Sequence, residues 1–165
     1  MTRTFTSTDP TFYVGQPPVS VAPSCAANDL ATQAIAGPGP TGRTWLIKFV
    51  SRAKAPCAVE GYPTVVVHSG IATPLTAQHT LAGPFGGVRG QASAPPIVVL
   101  APDEIASAMI EAPAPIAGST VCASAELVSV SLPAAGEVAR LSLGNTNVCD
   151  LVVHPVVYGS SGMAR

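Results

Sequence analysis

Charge is scarce in this 165-residue sequence: Asp, Glu, Lys and Arg make up 10%, against about 25% in an ordinary soluble domain, and the formal net charge is −1. Binding to a polyanion needs clustered Lys and Arg, which the eight cations here do not form, so no nucleic-acid partner is expected. Aromatic residues are also few, at 5% with a single Trp, which leaves little material for an exposed sugar-binding platform. Apolar runs such as Val65 to Val67 or Ile97 to Ala101 fall far short of the roughly 18 residues of a membrane helix. No membrane span is expected. From Met1 to Pro23 there is no apolar h-region, small-residue cleavage site or early Cys for lipidation, so no export signal is read.

The patterns that carry common chemistries are missing as well. No Cys-x-x-Cys, His-x-x-x-His, His-Glu-x-x-His or Gly-x-Ser-x-Gly occurs, so neither a zinc site nor a hydrolase nucleophile has its usual frame. Of the three histidines, His68 and His154 are expected as strand-terminal surface residues, and His79 in a loop. The nine carboxylates (Asp9, Asp29, Glu60, Asp103, Glu104, Glu111, Glu126, Glu137 and Asp150) are read as solvated turn and edge residues, because none sits in an aromatic-rich segment. Gly83 to Gly90 superficially suggests a phosphate cradle but lacks Lys-Ser/Thr and a following helix. The expectation is a non-enzyme with no catalytic residue, metal or cofactor.

What the chain does have is a core. Apolar residues make up 47%; Ala accounts for 26 of them, leaving bulky apolar residues at about 31%, enough for one folded domain. Gly and Pro together reach 19%, which shortens elements and disfavours a helical bundle. From Cys25 onward, β-branched runs alternate with turn clusters about every ten residues, the pattern of a sandwich. Strands are predicted at Thr44–Ser51, Thr64–His68, Pro96–Leu100, Ala106–Ala112, Ala125–Leu132, Val138–Leu143 and Asp150–Val157, with a weaker one at Thr32–Ala36. Asp103 to Ala106 is a candidate helical turn, bounded by Pro102 and Pro113. The fold expected is all-β, an immunoglobulin-like antiparallel β-sandwich, with Trp45, Ile47 and Phe49 on its buried face.

Cys25, Cys57, Cys122 and Cys149 allow three pairings. Cys25 with Cys57 and Cys122 with Cys149 is favoured because each bridge then closes a local loop, and four buried free thiols remain the alternative. Residues 1–24 read as an extended, Thr- and Pro-rich arm, 25–158 as the sandwich and 159–165 as a tail. Phe5, Phe12 and Tyr13 cannot bury themselves within an unpaired arm, so they are candidate partner-binding residues. Phe85 and Leu81, in the low-charge loop between Ser69 and Pro96, form a contact candidate if exposed.

Trp45-Leu46-Ile47-Lys48-Phe49, followed by Cys57-Ala58-Val59-Glu60-Gly61-Tyr62-Pro63-Thr64-Val65, resembles the signature of an actinobacterial family known as domain of unknown function 4232. Cys25, the Ala106 to Ala108 segment and the late pair Cys122 and Cys149 extend the resemblance over about residues 25 to 157. It implies a small β-sandwich with two cystines, usually exported or lipid-anchored, with no established activity. The arm and the missing signal depart from that pattern. In local terms, Gly61 supplies a positive φ, Tyr62-Pro63 favours a cis or tight turn, and Tyr62 is expected to pack on the cystine at Cys57.

Together these readings suggest a structural or assembly protein joined to protein partners through its arm. The specific expectation is a virion subunit of an actinobacterial phage, such as a capsid decoration or minor tail protein. The alternative is an exported cell-envelope binding protein. The expected location is the virion, or the extracellular space and cell envelope.

Overall fold

The computed structural model describes residues 22–39, 43–69, 74–89, 93–113, 122–144 and 146–164. A single 3₁₀ turn, Ala27–Asp29, precedes fifteen strands among these residues. In chain order the first seven are β1 (Leu30–Ala36), β2 (Thr44–Ser51), β3 (Cys57–Glu60), β4 (Thr64–Ser69), β5 (Leu75–Thr76), β6 (Gln78–His79) and β7 (Gly87–Val88). Next come β8 (Ile97–Leu100), β9 (Ile105–Glu111), β10 (Ala123–Leu132) and β11 (Gly136–Leu141). The last four are β12 (Asn147–Val148), β13 (Val152–Val153), β14 (Val157–Tyr158) and β15 (Met163–Ala164).

The first large sheet runs β1-β2-β9-β13-β6, with β14 also on β9; the second runs β11-β10-β4-β5, with β12 also on β10. Two small sheets pair β3 with β8 and β7 with β15. The chain is therefore all-β with several antiparallel sheets, an arrangement compatible with an immunoglobulin-like sandwich. Two short pairs, β6 with β13 and β7 with β15, are parallel.

The core explains the alanine content. Inward residues of β2 sit opposite inward residues of β9, with Ile47 facing Ala108 and Phe49 facing Ala106, so a large side chain meets a small one across the sheet. Trp45, Ile47 and Phe49 share the buried cluster with Val65 and Val67 of β4 and with Val128 and Val130 of β10. In β10 the buried positions shift from Ala123 and Ala125 to Val128, Val130 and Leu132. A register irregularity between Ser124 and Val128 makes the shift by adding one residue to the alternation. Leu127, apolar but 41% exposed, lies in that irregular stretch.

Other departures have local causes. Asp103 does not open a helical turn. Asp103 takes a left-handed φ of 70° in a tight turn where Glu104 N–H donates to Ala101 O at 3.0 Å, and β9 begins at once at Ile105. Strand β3, not predicted, is only four residues long, between Pro56 and Gly61, whose φ of 83° turns the chain out of it. The described backbone contains no cis peptide. The expected strand Asp150–Val157 is broken around His154-Pro155, since Pro155 offers no N–H to a ladder. Within the long excursion after Ser69, β5 belongs to one large sheet and β6 to the other, with buried Ala77 at the crossing.

Residues 159–164, set apart in the sequence as a tail, include β15, and Gly162 is buried. At the other end, Pro23 and Ser24 join the domain: Ala58 N–H donates to Pro23 O at 2.7 Å and Cys25 N–H donates to Ala58 O at 2.9 Å. The cystines are Cys25–Cys57 and Cys122–Cys149, the locally closed pairing.

Candidate functional site

The outer face of the first large sheet carries Ser107, Met109 and Glu111 on alternate positions of β9, with Leu46 opposite Met109. Residues 81–89 and 159–164 cover this face. Gly162 N–H donates to Ser107 Oγ at 2.8 Å, the Ser107 hydroxyl donates to Gly159 O at 2.7 Å, and Gly87 N–H donates to Gly162 O at 2.8 Å. A side chain at Gly83 or Gly86 could not fit: its Cβ would lie 2.7 Å from Glu111 and His154, or 2.4 Å from Met109 Cβ.

Beneath Gly83 lies a polar cluster of Thr80, His154 and Glu111. The His154 ring is 1% exposed, and its Nε2 is 2.6 Å from Glu111 Oε2, on a carboxylate side chain that is 12% exposed. The opposite ring nitrogen, Nδ1, is 3.0 Å from both the hydroxyl and the carbonyl oxygen of Thr80. The carbonyl accepts from a protonated Nδ1, whereas the hydroxyl donates to an unprotonated one. The ring thus finds a partner at this nitrogen in either tautomer. Phe85 N–H donates to the same Glu111 oxygen at 3.3 Å, which ties the covering loop to the pair.

Hydroxyl, imidazole and carboxylate in a row are the components of a nucleophilic triad, but here they are roofed by the loop backbone. Through Glu111 the cluster is hydrogen-bonded to the covering loop. His154 is therefore not the surface residue expected, and Glu111 is not a solvated edge carboxylate. The signal was present in the sequence, since His154 stands inside Val152-Val153-His154-Pro155-Val156-Val157 and Glu111 follows Ala108-Met109-Ile110.

A second feature is a groove of about 340 Å³ between the β3 edge and the turn after β10, lined by residues including Cys25, Ala58, Glu60, Gly61, Leu132 and Pro133. Among the described residues Glu60 is its one charged lining residue. Gly61 brings β3 close to the turn, where a Cβ would lie 3.3 Å from Pro133 Cγ.

The remaining candidates fall into place separately. Phe5, Phe12 and Tyr13 lie outside the described residues, as does Asp9. Phe85 and Leu81 are half-buried, and the Phe85 ring lies against Gly39. Arg89 donates to the carbonyls of Gly83 and Pro84, both at 3.1 Å, so the Gly-rich loop is closed on itself by its own cation. His68 Nε2 is 3.0 Å from Ser129 Oγ, and the exposed His79 ring stacks on Tyr62 with centroids 4.5 Å apart, where the cystine was expected as the neighbour of Tyr62.

Among the carboxylates, Asp29 accepts from Ala26 N–H, Asp103 pairs with Arg52 at 3.5 Å and Glu137 with Arg140 at 3.0 Å. Glu104 accepts from the Tyr158 hydroxyl at 2.7 Å. That hydrogen bond, with a second from Ala101 N–H, holds the Glu104 carboxyl below its ordinary pKa and raises the Tyr158 phenol above its own. Among the described residues no group of three or more His, Cys, Asp or Glu could hold a metal ion, and no helix is long and apolar enough to cross a membrane.

The model of the family described as Domain of unknown function (DUF4232) matches residues 25–157. The chain belongs to the DUF4232 family. No curated protein and no solved structure matches it. Within this DUF4232 domain the matched span takes in both cystines, the Thr80–His154–Glu111 cluster and the groove lining apart from Ser24. Phe5, Phe12 and Tyr13 precede it, and β15 follows it.

Proposed function

We propose that the protein is a non-catalytic structural or assembly protein, a virion subunit such as a capsid decoration or minor tail protein of an actinobacterial phage, attached through its N-terminal segment. The observation that carries this reading is the pairing of Pro23–Cys25 with β3. Next to the bend at Ala22 the chain pairs with a sheet edge, and pairing of an extended segment with such an edge is the geometry in which one chain adds to another. The roofed His154–Glu111 pair agrees with a non-catalytic role. The two cystines suit a virion surface, where disulfides persist.

The cystines equally favour the second reading, an exported cell-envelope binding protein, with the groove as its binding place. Deletion of residues 1–21 tests the first. The cut spares the Pro23–Cys25 pairing, so the shortened chain should unfold at the parent temperature yet fail to join the assembly that the whole chain joins. Full incorporation of the shortened chain would refute attachment through the arm, and a signal sequence in the reading frame upstream of Met1 would favour the envelope.

A further inference from the structure

We infer that the groove beside the Cys25–Cys57 cystine is the receptor for the N-terminal segment of a second copy of this chain. The inference rests on the arm-attachment reading above and names its partner. On the edge of β3, Ala58 holds Pro23–Cys25 in a parallel bridge through Ser24, which shows that this edge takes an extended strand. After Cys25 the chain departs into the 3₁₀ turn Ala27–Asp29, and the edge continues toward Glu60 along the open groove. The parallel sense fixes direction. Pro23 and Ser24 run toward the Pro56 end of β3 and away from Glu60, so the chain does not pass directly from this pairing into its own groove, and a second copy's segment is the occupant assigned to it.

Twenty-one residues precede Ala22, and at about 3.3 Å per extended residue they span up to about 70 Å, well beyond a domain whose radius of gyration is about 15 Å. Their chemistry matches the groove. Arg3 and Asp9 are their only charged side chains, and Phe12-Tyr13-Val14 supplies an apolar anchor for a lining whose one charge is Glu60. At about 340 Å³ the groove is near the small end of binding pockets, a size for one anchor of a longer strand. Each copy donates one segment and accepts another, either by reciprocal exchange in a two-fold dimer or head to tail in a ring or row.

The test uses the whole chain with a benzophenone amino acid in place of Thr11, mixed from light and 15N-labelled preparations and irradiated. Cross-linked peptides joining light to heavy copies, with residues 57–61 or 132–136 on the acceptor side, are expected. The variant Ala134→Trp fills the groove from its exposed turn. It should weaken self-association, measured by light scattering, by about tenfold or more while leaving the unfolding temperature unchanged. Links confined to one copy, links that miss the groove, or association indifferent to Ala134→Trp would overturn the assignment. If deletion of residues 1–21 abolishes incorporation and the links still miss the groove, arm attachment stands and the groove assignment fails; if the deletion changes neither incorporation nor self-association, both fail.

Discussion

Replacing Glu111 by Ala removes the acceptor that joins the His154 ring to the covering loop. His154 Nε2, 2.6 Å from the carboxylate in the parent, is left without a partner on a ring only 1% exposed, and Phe85 N–H loses its acceptor at 3.3 Å. Each orphaned group costs about 1–3 kcal/mol, and the 12% exposure of the Glu111 side chain lets water recover part of that, so the loss comes to about 3 kcal/mol. For a domain of this size that lowers the midpoint of thermal unfolding by roughly 6–12 °C. Glu111→Gln keeps an oxygen for Phe85 N–H and a polar atom for the ring, and should cost about 1 kcal/mol. The control is Glu137→Ala, which breaks the exposed pair with Arg140 and should cost less than about 1 kcal/mol. Circular dichroism melts give the midpoints, and hydrogen exchange of residues 81–89 should accelerate in Glu111→Ala alone. A melt for Glu111→Ala within about 2 °C of Glu137→Ala, with unchanged exchange, would refute the claim that the buried pair fastens the loop.

Trp45→Ala should cost about 3–5 kcal/mol because the indole is buried in the core cluster, and a native fluorescence maximum typical of solvated indole would contradict that placement. Unreduced peptide maps should link Cys25 to Cys57 and Cys122 to Cys149. Each bridge contributes about 3.5 kcal/mol on the loop-entropy model, and a peptide joining Cys57 to Cys122 would sink the pairing. Because the Tyr158 hydroxyl lowers the Glu104 pKa, the stabilisation from that contact is present above the ordinary carboxylate pKa and is lost as pH falls through the lowered value. Tyr158→Phe should move the Glu104 carboxyl titration upward in NMR, and an unmoved titration would count against the hydrogen bond.

The all-β class, the cystine pairing and the buried face of β2 were legible because each is written locally: alternation over Thr44–Ser51, and cysteines 32 and 27 residues apart with no pairs at metal spacing. What escaped depends on tertiary neighbours. His154 looked like a strand end because Pro155 follows it, yet covering residues 81–89 and partner Glu111, 43 positions away, decide its burial. The irregular stretch of β10 shifts the alternation in a way no local pattern announces, and β3 was too short between its flanking prolines to show a period. Phe85 drew attention as an apolar residue in a Gly-rich loop. Only the fold shows that those glycines let the loop lie flat on Met109 and His154, with Phe85 turned against Gly39. The groove could not be read at all, because it joins residues 24–25, 58–61 and 132–135 across three separate turns of the chain.

The most direct test of the assembly role is the native mass and composition of the particle from which the untagged chain is recovered from its source. The account predicts a particle many times the 16.5 kDa of one chain, in which this protein is accompanied by at least one other structural protein and is released when residues 1–21 are removed. Recovery only as a monomer, with no larger particle containing it, would contradict the account.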